Sequence, residues 1–217
     1  MAINLARPSP RPLDGVSTST YPESPWHTET VPADTRRASG SEHVALATPK
    51  VLITRAQIQT ALHRLSAEIR RDYPTAPPLL LCTLKGAFMF LADLVRVLDL
   101  PVDLAFVRLA SYGSATSSHG QVQVLQELHE DIKDRAVLVI EDIVDTGHTL
   151  AFLHRYLASR RPASVRVCTL LDKPQRRQVN VTADYCGFTI PDVFVVGYGL
   201  DLAEHYRHLP DICILEG

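Results

Sequence analysis

Three carboxylates, Glu141, Asp142 and Asp145, fall within five residues of the stretch Val137–Leu150, VLVIEDIVDTGHTL. They follow the aliphatic run Ala136–Ile140, whose consecutive apolar residues are the pattern of a strand buried on both faces of a parallel sheet. Acids at the carboxyl end of such a strand stand in the crevice where open α/β sheets bind ligands. The next residues, Thr146, Gly147, His148 and Thr149, are mostly small or hydroxyl-bearing, and Leu150, Leu153 and Leu157 then recur at helical spacing. A chain that curls there points the N–H groups of the new helix at one spot, which is a geometry that binds phosphate. Acids beside such a turn suit a ligand that offers both a phosphate and vicinal hydroxyls or a metal, as a sugar phosphate does. The plainer alternative is a pair of loop acids followed by a helix cap, and D-T-G alone does not separate the two. The G-x-x-x-x-G-K-[ST] of P-loop enzymes and the G-x-G-x-x-G of dinucleotide folds are both absent.

The elements that must position these groups alternate along the chain. Thr54 caps an expected helix with apolar residues at Ile58, Leu62, Leu65 and Ile69, which Tyr73-Pro74 and Pro77-Pro78 stop. Leu79–Leu84 reads as a buried strand and runs into Lys85-Gly86; Ala87–Leu98 reads as a helix and Val102–Leu109 as a second strand. Ser111–Gly120 is small and polar apart from Tyr112 and is expected to be a long flexible loop, with Val122–Leu125 returning as an edge hairpin. After the acidic segment come strands at Val165–Leu171, Phe194–Val196 and Ile212–Leu215. This alternation predicts an α/β fold, a mainly parallel central sheet flanked by helices.

Residues 1–48 hold six Pro and twelve Ser or Thr with few bulky apolar groups, too little to offset chain entropy, so a disordered tail is expected with one domain over 49–217. With 22 Lys+Arg against 24 Asp+Glu the net charge is −2, which argues against a dedicated nucleic-acid binder. No apolar run has the length of a membrane span. Cys82, Cys168, Cys186 and Cys213 form no C-x-x-C pair, and Cys82, Cys168 and Cys213 sit inside apolar runs as buried thiols do, which fits a reducing cytoplasm. His205 and His208 form an H-x-x-H pair with no further ligands at metal spacing, a weak zinc signal.

Val137–Leu150 resembles the phosphoribosyl-pyrophosphate motif of type I phosphoribosyltransferases, and its surroundings are similar to the hypoxanthine-guanine members. The matching pieces occur in family order: LCTLKGAFMFLADL at Leu81–Leu94, RLASYGSATSS at Arg108–Ser118, LLDKP at Leu170–Pro174 and GFTIPDVFVVGYGLDLAEHYRHLP at Gly187–Pro210. Together they cover roughly residues 49–216, all but the tail. The resemblance implies a type I phosphoribosyltransferase fold with a small C-terminal hood from about Asp172 onward and a lid loop opened by Ser111 and Tyr112. It also implies a Mg²⁺-dependent transfer of a phosphoribosyl group from phosphoribosyl pyrophosphate to N9 of a 6-oxopurine in purine salvage, by a homodimer or homotetramer.

Residue by residue, the resemblance places Glu141 and Asp142 by the ribose hydroxyls and the metal, and Thr146, Gly147, His148 and Thr149 around the 5′-phosphate. Asp145 matches the general base or acid at purine N7, and Lys85 and Gly86 lie beside the pyrophosphate after a peptide that is often cis in relatives. Lys173 matches the donor to the purine 6-oxygen, Phe194 stacks on the base, and the Val195 backbone meets its edge. Asp201 matches a magnesium-associated carboxylate and Arg207 a pyrophosphate contact. A Lys donor favours a 6-oxo acceptor over the 6-amino group of adenine. Leu202, where an aromatic residue is common, and His205 depart from the pattern. Two rivals stay open: a related transferase using xanthine or a pyrimidine, and a non-catalytic sensor of phosphoribosyl pyrophosphate.

Overall fold

A computed structural model describes residues 49–112 and 121–215; the expected tail and most of the expected lid loop lie outside them. In chain order the elements are β1 (Pro49–Ile53), α1 (Arg55–Asp72), β2 (Leu79–Leu84), α2 (Phe88–Leu98), β3 (Leu104–Tyr112), β4 (Gln121–Gln126), β5 (Ala136–Val144), α3 (His148–Ala158), β6 (Ser164–Asp172), β7 (Tyr185–Thr189), β8 (Val195–Val196) and β9 (Ile212–Leu215). Six strands form the main sheet in the order β4-β3-β2-β5-β6-β7, parallel except for the antiparallel edge strand β4.

Alternating side chains divide between the two faces, which is why each inner strand reads as one unbroken apolar run. Leu80, Cys82, Leu138, Ile140, Cys168 and Leu170 pack beneath α1 and α2. Leu79, Leu81, Val107, Val137, Val139 and Val167 pack against Leu150, Leu153 and Leu157 of α3. Helix α1 starts as expected: the Thr54 side chain accepts from the Gln57 N–H while Gln57 Oε1 accepts from the Thr54 N–H, a reciprocal capping box. Tyr73 closes it.

The chain leaves β2 toward β3 on one side and leaves β5 toward β6 on the other. The ends of β2 and β5 therefore meet where the strand order reverses, the place such sheets offer to ligands.

Three expectations about the elements need correction. The β5 strand does not stop at Ile140 but continues through the acids, with Glu141 opposite Thr169, Ile143 opposite Leu171 and Val144 opposite Asp172. Ser111 and Tyr112 do not open a loop; they end β3, opposite Val122 and Gln121 of β4. The hood is not built from Asp172 onward alone. The β7 strand joins the main sheet, and the second sheet has the order β1-β9-β8, so the segment just ahead of α1 supplies one of its three strands. Hydrogen bonds join this second sheet to the rest. Asp211 Oδ1 accepts from the Arg55 N–H at 2.6 Å, and the Tyr198 hydroxyl donates to Asp93 of α2 at 2.8 Å. No described helix is long and apolar enough to cross a membrane.

Candidate active site

A cleft of about 200 Å³ opens at the ends of β2 and β5, lined by Thr83, Lys85, Gly86, Glu141, Asp142 and Thr149, among others. On the β2 side the Leu84–Lys85 peptide is cis. Gly86 follows because no side chain fits: a Cβ there would overlap the Asp142 carboxylate. On the β5 side the Thr83 hydroxyl reaches both the Ile140 carbonyl, at 3.1 Å, and the Glu141 carboxylate.

Burial raises the pKa of Glu141, and the neighbouring Asp142 charge raises it further. Asp142 is also raised by burial, opposed by the Ile143 N–H it accepts from and by Arg207. Two adjacent buried carboxylates are a natural place for hydroxyl donors or a hard cation.

Beyond Val144 the chain turns through Asp145 and Thr146 to Gly147, whose φ of 88° begins α3. A Cβ at Gly147 would come 2.6 Å from Val181 Cγ2 and 2.9 Å from Val179 Cγ2, so both the backbone sign and the space demand glycine. The turn is braced from outside: the Gln178 N–H donates to the Thr146 carbonyl at 3.0 Å, and His148 Nε2 lies 2.9 Å from Gln178 Oε1. The start of α3, where a helix leaves N–H groups for an outside acceptor, thus stands beside the acids.

Lys173 follows β6, with its N–H on the Val144 carbonyl at 2.9 Å. Only 6% of the residue is exposed. Phe194 precedes β8 rather than lying in it and is 52% exposed. Val195 is buried and paired with Ile214.

Arg207 completes this side. Its Nη1 donates to the Gly199 carbonyl at 2.7 Å, and its Nη2 lies 2.8 Å from Asp201 Oδ1 and 3.4 Å from Glu204 Oε2. Nε is buried with no partner among the described residues. Asp201 has its other oxygen on the Glu204 N–H at 2.8 Å.

Comparisons with known proteins give the family. A model of the phosphoribosyl transferase domain matches residues 54–203. The chain belongs to this family. It is 43% identical over 167 residues to the hypoxanthine-guanine phosphoribosyltransferase of Bacillus subtilis (strain 168), covering 77% of this chain and 93% of that one. It is 44% identical over 167 residues to the hypoxanthine phosphoribosyltransferase of Escherichia coli (strain K12), covering 76% and 94%. The crystal structure of a Bacillus anthracis hypoxanthine-guanine phosphoribosyltransferase with a HEPES molecule in its active site matches with a TM-score of 0.74 at 42% identity, over 77% of this chain and 98% of that one.

As a phosphoribosyltransferase, the chain brings Lys85, Gly86, Glu141, Asp142 and Thr149 to one cleft, with Asp145 and residues 146–148 on the adjoining turn. Ser111 and Tyr112 are placed at the end of β3; nothing further is described of them or of 113–120.

Sequence reasoning missed three partners. Glu204 Oε2 accepts from Lys85 Nζ at 2.8 Å and also faces Arg207, so one carboxylate serves two cations. Arg176 Nε donates to Asp145 Oδ1 at 3.1 Å. Arg177 pairs with Asp172 and donates to the Asp145 carbonyl at 3.0 Å. The two arginines sit three and four residues after Lys173, a cation run that was the available signal. Among the described residues no group of three or more His, Cys, Asp or Glu could hold a metal alone.

Proposed function

We propose that this phosphoribosyltransferase moves the 5-phosphoribosyl group of phosphoribosyl pyrophosphate to N9 of hypoxanthine or guanine, releasing pyrophosphate, as a purine salvage enzyme. The observation that carries the reading is the meeting, at one sheet switch point, of Lys85-Gly86, the acidic pair Glu141/Asp142 and the phosphate-type start of α3. In this reading Thr146, Gly147, His148 and Thr149 take the 5′-phosphate on backbone N–H groups and hydroxyls, while Glu141 and Asp142 accept from the ribose hydroxyls. Lys85 and Arg207 meet the pyrophosphate once their contacts to Glu204 are exchanged. Asp145 holds or moves the proton at purine N7, Lys173 Nζ donates to the 6-oxygen, Phe194 stacks on the ring and the Val195 backbone meets its edge. Ser111 and Tyr112 lead into the lid that keeps water from the reacting sugar.

Mg²⁺ fits the donor set. The raised carboxyls of Glu141 and Asp142, with Asp201 nearby, are hard oxygen ligands too few for an all-protein cage, as suits an ion held largely by substrate oxygens. When bound, Mg²⁺ would neutralise the leaving pyrophosphate.

The four cysteines are free, in keeping with a cytoplasmic protein. The exposed Leu104 and Phe106 on one face of β3 support a homodimer or homotetramer.

The test is to mix purified protein with Mg²⁺, phosphoribosyl pyrophosphate and, separately, hypoxanthine, guanine, xanthine, adenine and uracil, then follow nucleotide formation. Product with hypoxanthine or guanine and none with adenine or uracil is expected. No product with either 6-oxopurine, or uptake of phosphoribosyl pyrophosphate with no turnover of any base, overturns the reading.

A further inference from the structure

Arg176 lies outside the motifs that pointed to the site, at the end of the short 3-10 turn Pro174–Arg176, yet its side chain is the one that holds the Asp145 carboxylate. Nε meets Asp145 Oδ1 at 3.1 Å, and Nη1 stands 3.6 Å from Asp192 Oδ2. Asp145 Oδ2 has no hydrogen bond among the described residues. Arg177, from the same turn, holds the Asp145 carbonyl. One carboxylate oxygen and the backbone are thus fixed, and the second oxygen is left over. A guanidinium suits this task because its rigid fork can address two carboxylates at once, which a lysine ammonium cannot do as well.

We propose that Arg176 is a positioning residue for the transfer reaction: it fixes Asp145 through Oδ1 so that Oδ2 is presented to the base. Through Asp192 it ties that orientation to the segment carrying Phe194 and Val195. This rests on the reading above that Asp145 acts at the purine. Both ion pairs are about half exposed, so their loss should change stability little. A carboxylate free to rotate is a misplaced one, and misplacement near a reacting atom costs turnover.

The experiment uses the full chain and compares Arg176→Gln, Arg176→Lys, Asp145→Asn and the Arg176→Gln/Asp145→Asn double variant in steady-state kinetics and thermal melts. Arg176→Gln is expected to lower kcat about tenfold, with KM for phosphoribosyl pyrophosphate within about twofold and the melting point near wild type. Arg176→Lys should recover part of the loss, and on the Asp145→Asn background Arg176→Gln should add nothing. Normal kcat in Arg176→Gln beside a slow Asp145→Asn overturns the positioning role alone, as do losses that multiply in the double variant. Equal losses in Gln and Lys with a lowered melting point mark a merely structural arginine and also overturn it. Full turnover in Asp145→Asn instead removes Asp145 from the mechanism, which is a failure of the underlying reading.

Discussion

At the start of α3, Gly147 is fixed by a left-handed backbone and by Val179 and Val181, which fill the space a Cβ would need, and Gln178 ties the turn on either side. Across the cleft, Lys85 is held by a carboxylate, Glu204, that is 63% exposed and shared with Arg207. The first region is shaped by packing and backbone geometry, and a ligand finds it already formed. The second is held by exposed ion pairs, which water and a stronger anion can replace. In the reaction proposed above one phosphate is kept and another group leaves, and such a division would serve both.

The largest effect expected is at the packed turn. Asp145→Asn should bind substrates normally but lower turnover by ~10²–10⁴-fold, as for loss of a general acid or base; steady-state assays decide it. Gly147→Ala should cost about 1–2 kcal/mol from the left-handed backbone alone, more from crowding at Val181, and raise KM for phosphoribosyl pyrophosphate. Melts and kinetics read both effects, and an unchanged melting point would mean that the turn is not preformed.

The acidic pair between the two regions gives a pH test. Burial raises both carboxyls, and the Asp142 charge raises Glu141 further, so the folded protein keeps protons that the unfolded chain has released. Stability from this pair is therefore greatest below the raised values and falls as pH rises from the ordinary carboxylate range through them. Asp142→Asn should melt above wild type by about 2–4 °C at the alkaline end, with the gap closing in acid. A gap independent of pH would refute the assignment.

The smallest effect is at the exchangeable wall. Glu204→Gln should strengthen pyrophosphate inhibition roughly two- to fivefold, because Lys85 and Arg207 lose a competing anion. Weaker inhibition would mean that Glu204 positions these cations, and the contrast between the regions would fail.

Much of this was legible beforehand, for identifiable reasons. Leu79–Leu84 and Ala136–Ile140 advertise burial on both faces, and Thr54 with Gln57 announces where α1 begins. The β1 and β7 strands were not read. Pro49–Ile53 becomes a strand only through Ile212–Leu215, and Tyr185–Thr189 carries a glycine and no alternation. An acidic pair usually ends a buried strand, so Glu141 and Asp142 read as the exit of β5; pairing with β6 carries the strand past them. The motif residues of the site were visible because they are contiguous. Glu204 on Lys85 and Arg176 on Asp145 were not, because an ion pair between distant segments leaves no local periodicity.

The three-stranded sheet has a consequence for how the molecule is made. Its central strand β9 is the last described element to be synthesised, and its partner β1 is the first, so the register that seats β8 forms by closing nearly the whole described chain into one loop. Loop closure over such a separation is slow relative to local pairing. The support beneath Phe194 and Arg207 therefore depends on pairing between the two ends of the described chain, and Ile53, Val195 and Ile212 of that sheet also pack into the core under the six strands.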